Sequence, residues 1–155
     1  MAKDQLALVQ TLAERQEKEA GARLSTARDA VDQSQRQLAQ VLEYRKDYYL
    51  IATGASDENV DTNRLRAARR FLSDIDDIIG RQQQSLLQAE RVLEQQQTAW
   101  VVSKRRVNSI KNLRQKRRQE ADQVLEKQAQ KLLDDVFAAQ TLFQPMTAST
   151  ERGVL

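Results

Sequence analysis

The chain contains no cysteine and no histidine. The first absence removes disulfides and thiolate chemistry, and the second removes the imidazole base and the commonest nitrogen ligand for metals. Most familiar catalytic centres are thereby excluded. Proline occurs once, at Pro145, and glycine four times in 155 residues, too sparsely to supply the turns of a many-stranded sheet. Aromatic residues make up 5% of the chain: Tyr44, Tyr48, Tyr49, Phe71, Trp100, Phe137 and Phe143. So few rings do not fill a thick globular core. No apolar run approaches the ~18 residues of a membrane span. The opening Met1-Ala2-Lys3-Asp4 leads into charged, amphipathic sequence and not into the apolar core of a secretory signal. The expectation is a soluble, cytoplasmic protein made without a cleaved signal.

What remains is 30% charged and 40% hydrophobic, dominated by Gln, Ala, Leu, Arg and Glu, all good helix formers. Two heptad tracks run through it. The first is Leu6, Ala13, Ala20, Leu24, Ala27, Val31, Leu38, Val41, Tyr48 and Ala52, interrupted by Gln10, Glu17, Ser34 and Arg45. The second places Leu65, Leu72, Ile79, Leu86, Leu93, Trp100 and Val107 at successive intervals of seven, with Ala68, Ile75, Ala89 and Ile110 alternating. Such a period is the signature of coiled-coil helices. Between them, residues 53–63 combine Gly54 with a dense run of capping residues. Gly54 reads as the stop of the first helix, and Asp61 or Asn63 as the N-cap of the second.

The fold expected is therefore all-α: two long helices in an antiparallel coiled-coil hairpin, the second longer and overhanging. Helix 1 should cover about 4–53, the turn 54–62 and helix 2 about 63–143, with a polar tail over 144–155. A short connection makes the helices antiparallel neighbours. Folding about residue 57 sets Leu6 near Asn108, and pairs Tyr44 with Phe71 and Gln37 with Ile78. Residues from about Lys111 to Phe143 then extend beyond the end of helix 1. At 1.5 Å per residue, a second helix of about 80 residues spans on the order of 120 Å. The displaced stripe Leu125, Leu132, Val136 and Phe143 would lack an intramolecular partner. It would be covered by another protein, or by a homo-oligomer when the protein is free.

Charge is segmented along the second helix. Val101 to Arg118 holds eight basic residues and no acid: Lys104, Arg105, Arg106, Lys111, Arg114, Lys116, Arg117 and Arg118. Acidic residues flank it on both sides, from Asp74, Asp76 and Asp77 to Glu94, and again from Glu120 to Asp135. That flanking disfavours nucleic acid, which calls for positive charge spread over a domain. The narrow apolar face of Val107, Ile110 and Leu113 disfavours membrane insertion. An acidic protein surface is the partner that fits, the alternative being a merely solvated basic face.

Tyr44, Phe71 and Ile78 fall beside the seam, with Tyr48 and Ile75 at its edge. They form a lateral patch to which both helices contribute, either a binding surface or a broadening of the seam. The paired carboxylates Asp76/Asp77 and Asp134/Asp135 lie on helix faces with no phosphate-binding loop, so no enzyme, no metal and no cofactor is expected.

Several short segments taken in order resemble the FliJ family of flagellar type III export proteins. They are Gln37-Leu38, Leu42-Glu43-Tyr44-Arg45, Tyr48, Asn63-Arg64, Phe71-Leu72, Trp100, the basic run Lys104 to Arg106, Leu113-Arg114 and Gln130 to Asp135. The likeness runs from about Leu6 to Phe143. It implies an antiparallel coiled-coil stalk that inserts into the ring of the export ATPase FliI, couples it to the export gate protein FlhA and contacts export chaperones. It also implies recruitment to the cytoplasmic face of the inner membrane. By the same resemblance, the gate-binding face comprises Gln37, Val41, Tyr44 and Tyr48 of the first helix and Phe71, Ile75, Ile78 and Gln82 of the second. The overhang would engage the ATPase ring. Two alternatives stand beside this one: a free-standing export chaperone or adaptor, and the stalk of a virulence type III secretion system.

Overall fold

The computed structural model describes the backbone of residues 2–53 and 61–148 and the side chains of residues 5–53 and 61–142. Two helices account for it, α1 (Ala2–Ala52) and α2 (Thr62–Ala148). The second helix is the longer, 87 residues against 51. Asp61 caps α2. Its carbonyl accepts the backbone N–H groups of Arg64 and Leu65 at 3.0 and 3.1 Å, and its Oδ1 lies 3.4 Å from the Asn63 nitrogen. These contacts occupy donors that a helix start otherwise leaves without partners. At the end of α1, the Thr53 N–H and hydroxyl both donate to the Tyr49 carbonyl. The expected stop at Gly54 lies outside the described residues. At its far end α2 continues through Pro145 to Ala148, beyond the expected limit near 143. Proline has a helical φ and forfeits only one backbone bond so close to a helix end.

The chain divides into two compact units. Ala7–Val107 form a hairpin unit; Met1–Leu6 and Asn108–Leu155 form the other. In the hairpin unit, α1 and the first half of α2 pack antiparallel along the two tracks. The buried residues are Ala13, Ala20, Leu24, Ala27, Ala52, Ala68, Ile75, Ile79 and Val107. The other seam positions between 7 and 107, including Glu17, Ser34, Arg45, Gln82 and Trp100, are half-buried. Five of the nine buried side chains are alanines, so the helices approach closely and the core is one layer thick. Its larger members, Leu24, Ile75, Ile79 and Val107, each contribute about 1.5–3 kcal/mol by leaving water.

Cross-helix contacts fix the register. Tyr48 stacks on Phe71 with centroids 4.9 Å apart, and Arg45 Nε lies 2.6 Å from Asp76 Oδ1. Arg106 Nη1 donates to Gln16 Oε1 at 3.5 Å, and the Trp100 indole lies against Gly21, where a Cβ would meet it at 3.6 Å. The residue numbers in these pairs add to between 119 and 122, not to the 115 expected from folding about residue 57. Seam positions face each other at a sum of 120: Ala52 is level with Ala68, Val41 with Ile79, Ala27 with Leu93 and Ala20 with Trp100. Tyr44 is consequently opposite Ile78, and Phe71 opposite Ile51. The expected pairs, Tyr44 with Phe71 and Gln37 with Ile78, belong to a register one heptad away. The physical reason is that a seven-residue slip lays seam upon seam again, so hydrophobic periodicity does not distinguish the two. The Arg45–Asp76 ion pair and the Tyr48–Phe71 stack distinguish them.

In the other unit, Leu6, Ile110, Arg114 and Ala121 are half-buried. From Asp122 to Leu142 every residue is exposed.

Candidate interaction surfaces

The lateral patch lies within the hairpin unit, on the flank next to the first position of each heptad. On α1 this flank carries Gln37, Tyr44 and Ile51, and on α2 it carries Phe71 and Ile78. Tyr44 and Phe71 are each 52% exposed and Ile78 41%, large values for rings and aliphatics beside a core. Tyr48 and Val41, half-buried, border the patch from the seam, and the Tyr48–Phe71 stack joins the two helices. Phe71 is held in place by that stack, which adds about 0.5–1.5 kcal/mol beyond area burial. Tyr44 is held by its own helix: Gln40 Nε2 donates to its hydroxyl at 3.3 Å. Gln37 is exposed. Ile75, 5% exposed, faces the seam and supports the patch from beneath without lining its surface. Gln82 is half-buried, and its Oε1 is shut away from solvent with no hydrogen-bond partner, level with Leu38. An unsatisfied buried oxygen costs about 1–3 kcal/mol.

The opposite flank carries apolar surface that the periodicity reading passed over: Leu42 and Tyr49, 46% and 50% exposed. Near the connection, Tyr49, Ala52, Thr53, Leu65, Arg69 and Leu72 line a shallow groove. Its signal in the sequence was present, because Tyr49 follows a seam residue as Tyr44 precedes one.

The basic residues fall in both units. In the hairpin unit Lys104, Arg105 and Arg106 are exposed. Lys104 Nζ sits 4.9 Å from the Trp100 ring centroid, a cation–π contact, and Arg106 reaches Gln16. The Arg106 contact crosses from α2 to α1, whereas the Lys104–Trp100 contact stays within α2. In the other unit Lys111, Lys116, Arg117 and Arg118 are exposed and Arg114 is half-buried. Farther along α2, Leu125, Leu132 and Val136 are 63%, 66% and 54% exposed. The Phe143 side chain, the last of the expected stripe, lies outside the described residues. Leu133 and Phe137, 59% and 69% exposed, widen the stripe at neighbouring positions. Among the described residues no group of acidic side chains is placed to hold a metal ion. None of the helices described is long and apolar enough to cross a membrane.

A seam-zipped pair of antiparallel helices with aromatic residues left exposed on its flank is an antiparallel coiled-coil hairpin. The family model of the flagellar FliJ protein matches residues 2–147, and the chain belongs to that family. It is a flagellar, export-related protein. No curated protein and no solved structure matches it.

Proposed function

We infer that the chain is a non-enzymatic stalk and coupling component of the flagellar type III export apparatus. It links the ring of the export ATPase FliI to the export gate protein FlhA at the cytoplasmic face of the inner membrane. The observation that carries this reading is the lateral patch: Tyr44, Phe71 and Ile78, all substantially exposed, on one flank of a hairpin whose core is continuous. Coupling requires stiffness. Two helices zipped along a seam resist bending better than one, so a displacement at one contact is delivered to another. Clustered rings on a rigid support lose little entropy when a partner covers them. Gln37, Val41, Tyr48 and Gln82 border the gate surface, and Ile75 underlies it. The basic residues Lys104 to Arg118 and the stripe from Leu125 to Phe143 serve the ATPase.

The test substitutes Tyr44→Ala and Phe71→Ala separately and measures binding to the gate's cytoplasmic domain together with circular dichroism. Loss of binding at full helicity supports the assignment. Unchanged binding at full helicity removes it. Slower hydrogen exchange over residues 111–142 on addition of the ATPase supports the second contact, and an unaltered pattern counts against it.

A second reading, a free-standing export chaperone or adaptor, draws on the exposure of Leu125, Leu132, Leu133 and Phe137. A wide apolar helical face accepts an amphipathic helix of a client. Co-purification of export subunits without the ATPase favours it.

A further inference from the structure

We propose that the hairpin is a two-register device: α1 and α2 slide past one another by one heptad, and the slide rebuilds the lateral patch. The seam permits it. Successive positions on α1 are Ala13, Ala20 and Ala27, so a slide by seven keeps an alanine opposite Leu93 and Trp100, the bulkiest residue of the α2 seam. Trp100 passes from the level of Ala20 to that of Ala13, and Leu93 from Ala27 to Ala20. Ile79 exchanges Val41 for Ser34, and Leu72 exchanges Tyr48 for Val41. Two polar layers are matched after the slide. Gln96, level with Leu24 in the observed register, meets Glu17, and Ser103 meets Gln10.

The helix ends do not oppose the movement. In the observed register Ala52 at the end of α1 is level with Ala68, so the first turn of α2 extends past it. The slide brings Ala52 level with Asp61, next to the start of α2 at Thr62. The displacement is about 10 Å along the axis, seven residues at the rise of an α-helix.

Contacts beside the seam set the preference. In the observed register Arg45 is paired with Asp76 at 2.6 Å. The residue one heptad earlier on α2, which would replace Asp76, is Arg69, so an ion pair gives way to like charges. Phe71 leaves Tyr48 and comes opposite Tyr44, while Ile78 comes opposite Gln37. Two arrangements of the same aromatic residues are thereby available, separated by surface interactions that are individually small. That a partner reads the rebuilt patch rests on the proposed function; the slide itself does not.

The absence of cysteine makes the test clean. In the full-length protein, Ala27→Cys is combined with Leu93→Cys to trap the observed register, with Leu86→Cys to trap the slid one, and with Ile79→Cys as a control two heptads away. A second series combines Val41→Cys with Ile79→Cys or with Leu72→Cys, so that a poorly folding member of the first series does not decide the matter. Under mild oxidation without any partner, the observed-register pairs should close fastest, the slid-register pairs more slowly, and the control not above background. Exchanging the two charges with Arg69→Asp and Asp76→Arg should raise the slid-to-observed ratio about fivefold or more, since it moves the acid to the slid position. Slid-register pairs no faster than the control overturn the proposal. So does a ratio indifferent to the charge exchange. Either failure leaves the gate assignment standing, because that depends on binding by the Tyr44 and Phe71 variants.

Discussion

The hairpin unit and residues 122–142 of α2 are drawn from the same composition, with apolar residues at helical spacing and charges around them. In the hairpin unit those positions are buried or half-buried, and Ile75, Ile79 and Val107 keep less than a tenth of their surface. In residues 122–142, Leu125, Leu132 and Phe137 keep more than six-tenths. Identical patterning has therefore produced a core in one place and a bare surface in the other. Periodicity states which face is apolar; it does not state whether anything covers that face. The energetic consequence is large, because long helices in water are stabilised chiefly by the packing of their apolar face.

The strongest way to break this contrast is to truncate one apolar residue from each region. Ile79→Ala should lower the unfolding free energy by about 2–4 kcal/mol, the cost of emptying a buried isoleucine site. Leu132→Ala, made at an exposed site, should change it by less than about 0.5 kcal/mol. Urea denaturation followed by circular dichroism measures both, and comparable losses would mean that Leu132 is covered in solution. Hydrogen exchange is a second route. Amides around Ile75 to Trp100 should exchange at least about tenfold more slowly than those of residues 122–142, since opening the latter breaks backbone bonds without uncovering a core. Equal protection would erase the distinction.

Smaller changes sharpen the picture inside the hairpin. Gln82→Leu should stabilise the protein by about 1 kcal/mol, because it removes the unsatisfied Oε1 and adds an apolar side chain to the seam. A loss of stability would imply that this oxygen finds a partner in solution. Gly80→Ala should add about 0.5–1 kcal/mol, as nothing lies within 4 Å of the new Cβ and alanine favours the helix. Smallest is the Arg45–Asp76 pair, whose side chains are 40% and 50% exposed. A double-mutant cycle should return a coupling of about 0.5 kcal/mol, reduced by salt. Such a coupling is minor for stability.

Much of the molecule is legible without coordinates. Every residue of the first track between Ala13 and Ala52, the polar Glu17, Ser34 and Arg45 included, lies buried or half-buried, as does the second track from Leu65 to Val107. Asp61 was one of two candidate caps, and its hydrogen bonds to Leu65 and Arg64 select it. The patch was legible in part. Tyr44, Phe71 and Ile78 lie beside the seam and are exposed there, and Ile75, a member of the second track at the edge of the patch, is buried in the seam. Leu42 and Tyr49 on the other flank, and Leu133 and Phe137 beside the later stripe, are exposed apolar residues one position off the apolar track, where heptad periodicity carries no signal. The family resemblance rested on the order of many short segments, none sufficient alone, and the family match over residues 2–147 agrees with it.

The sequence by itself determined that two helices form and which face of each is apolar, because a period near 3.5 residues places the same positions together at every turn. Only the tertiary structure decided how far along one another those faces meet. A slip of seven residues exchanges one seam layer for the next and keeps the heptad pattern. The choice falls to contacts that pair residues from separate helices: Arg45 with Asp76, Tyr48 with Phe71 and Trp100 with Gly21. No reading along one helix contains those pairs, since each exists only once the two chains of positions have been laid side by side.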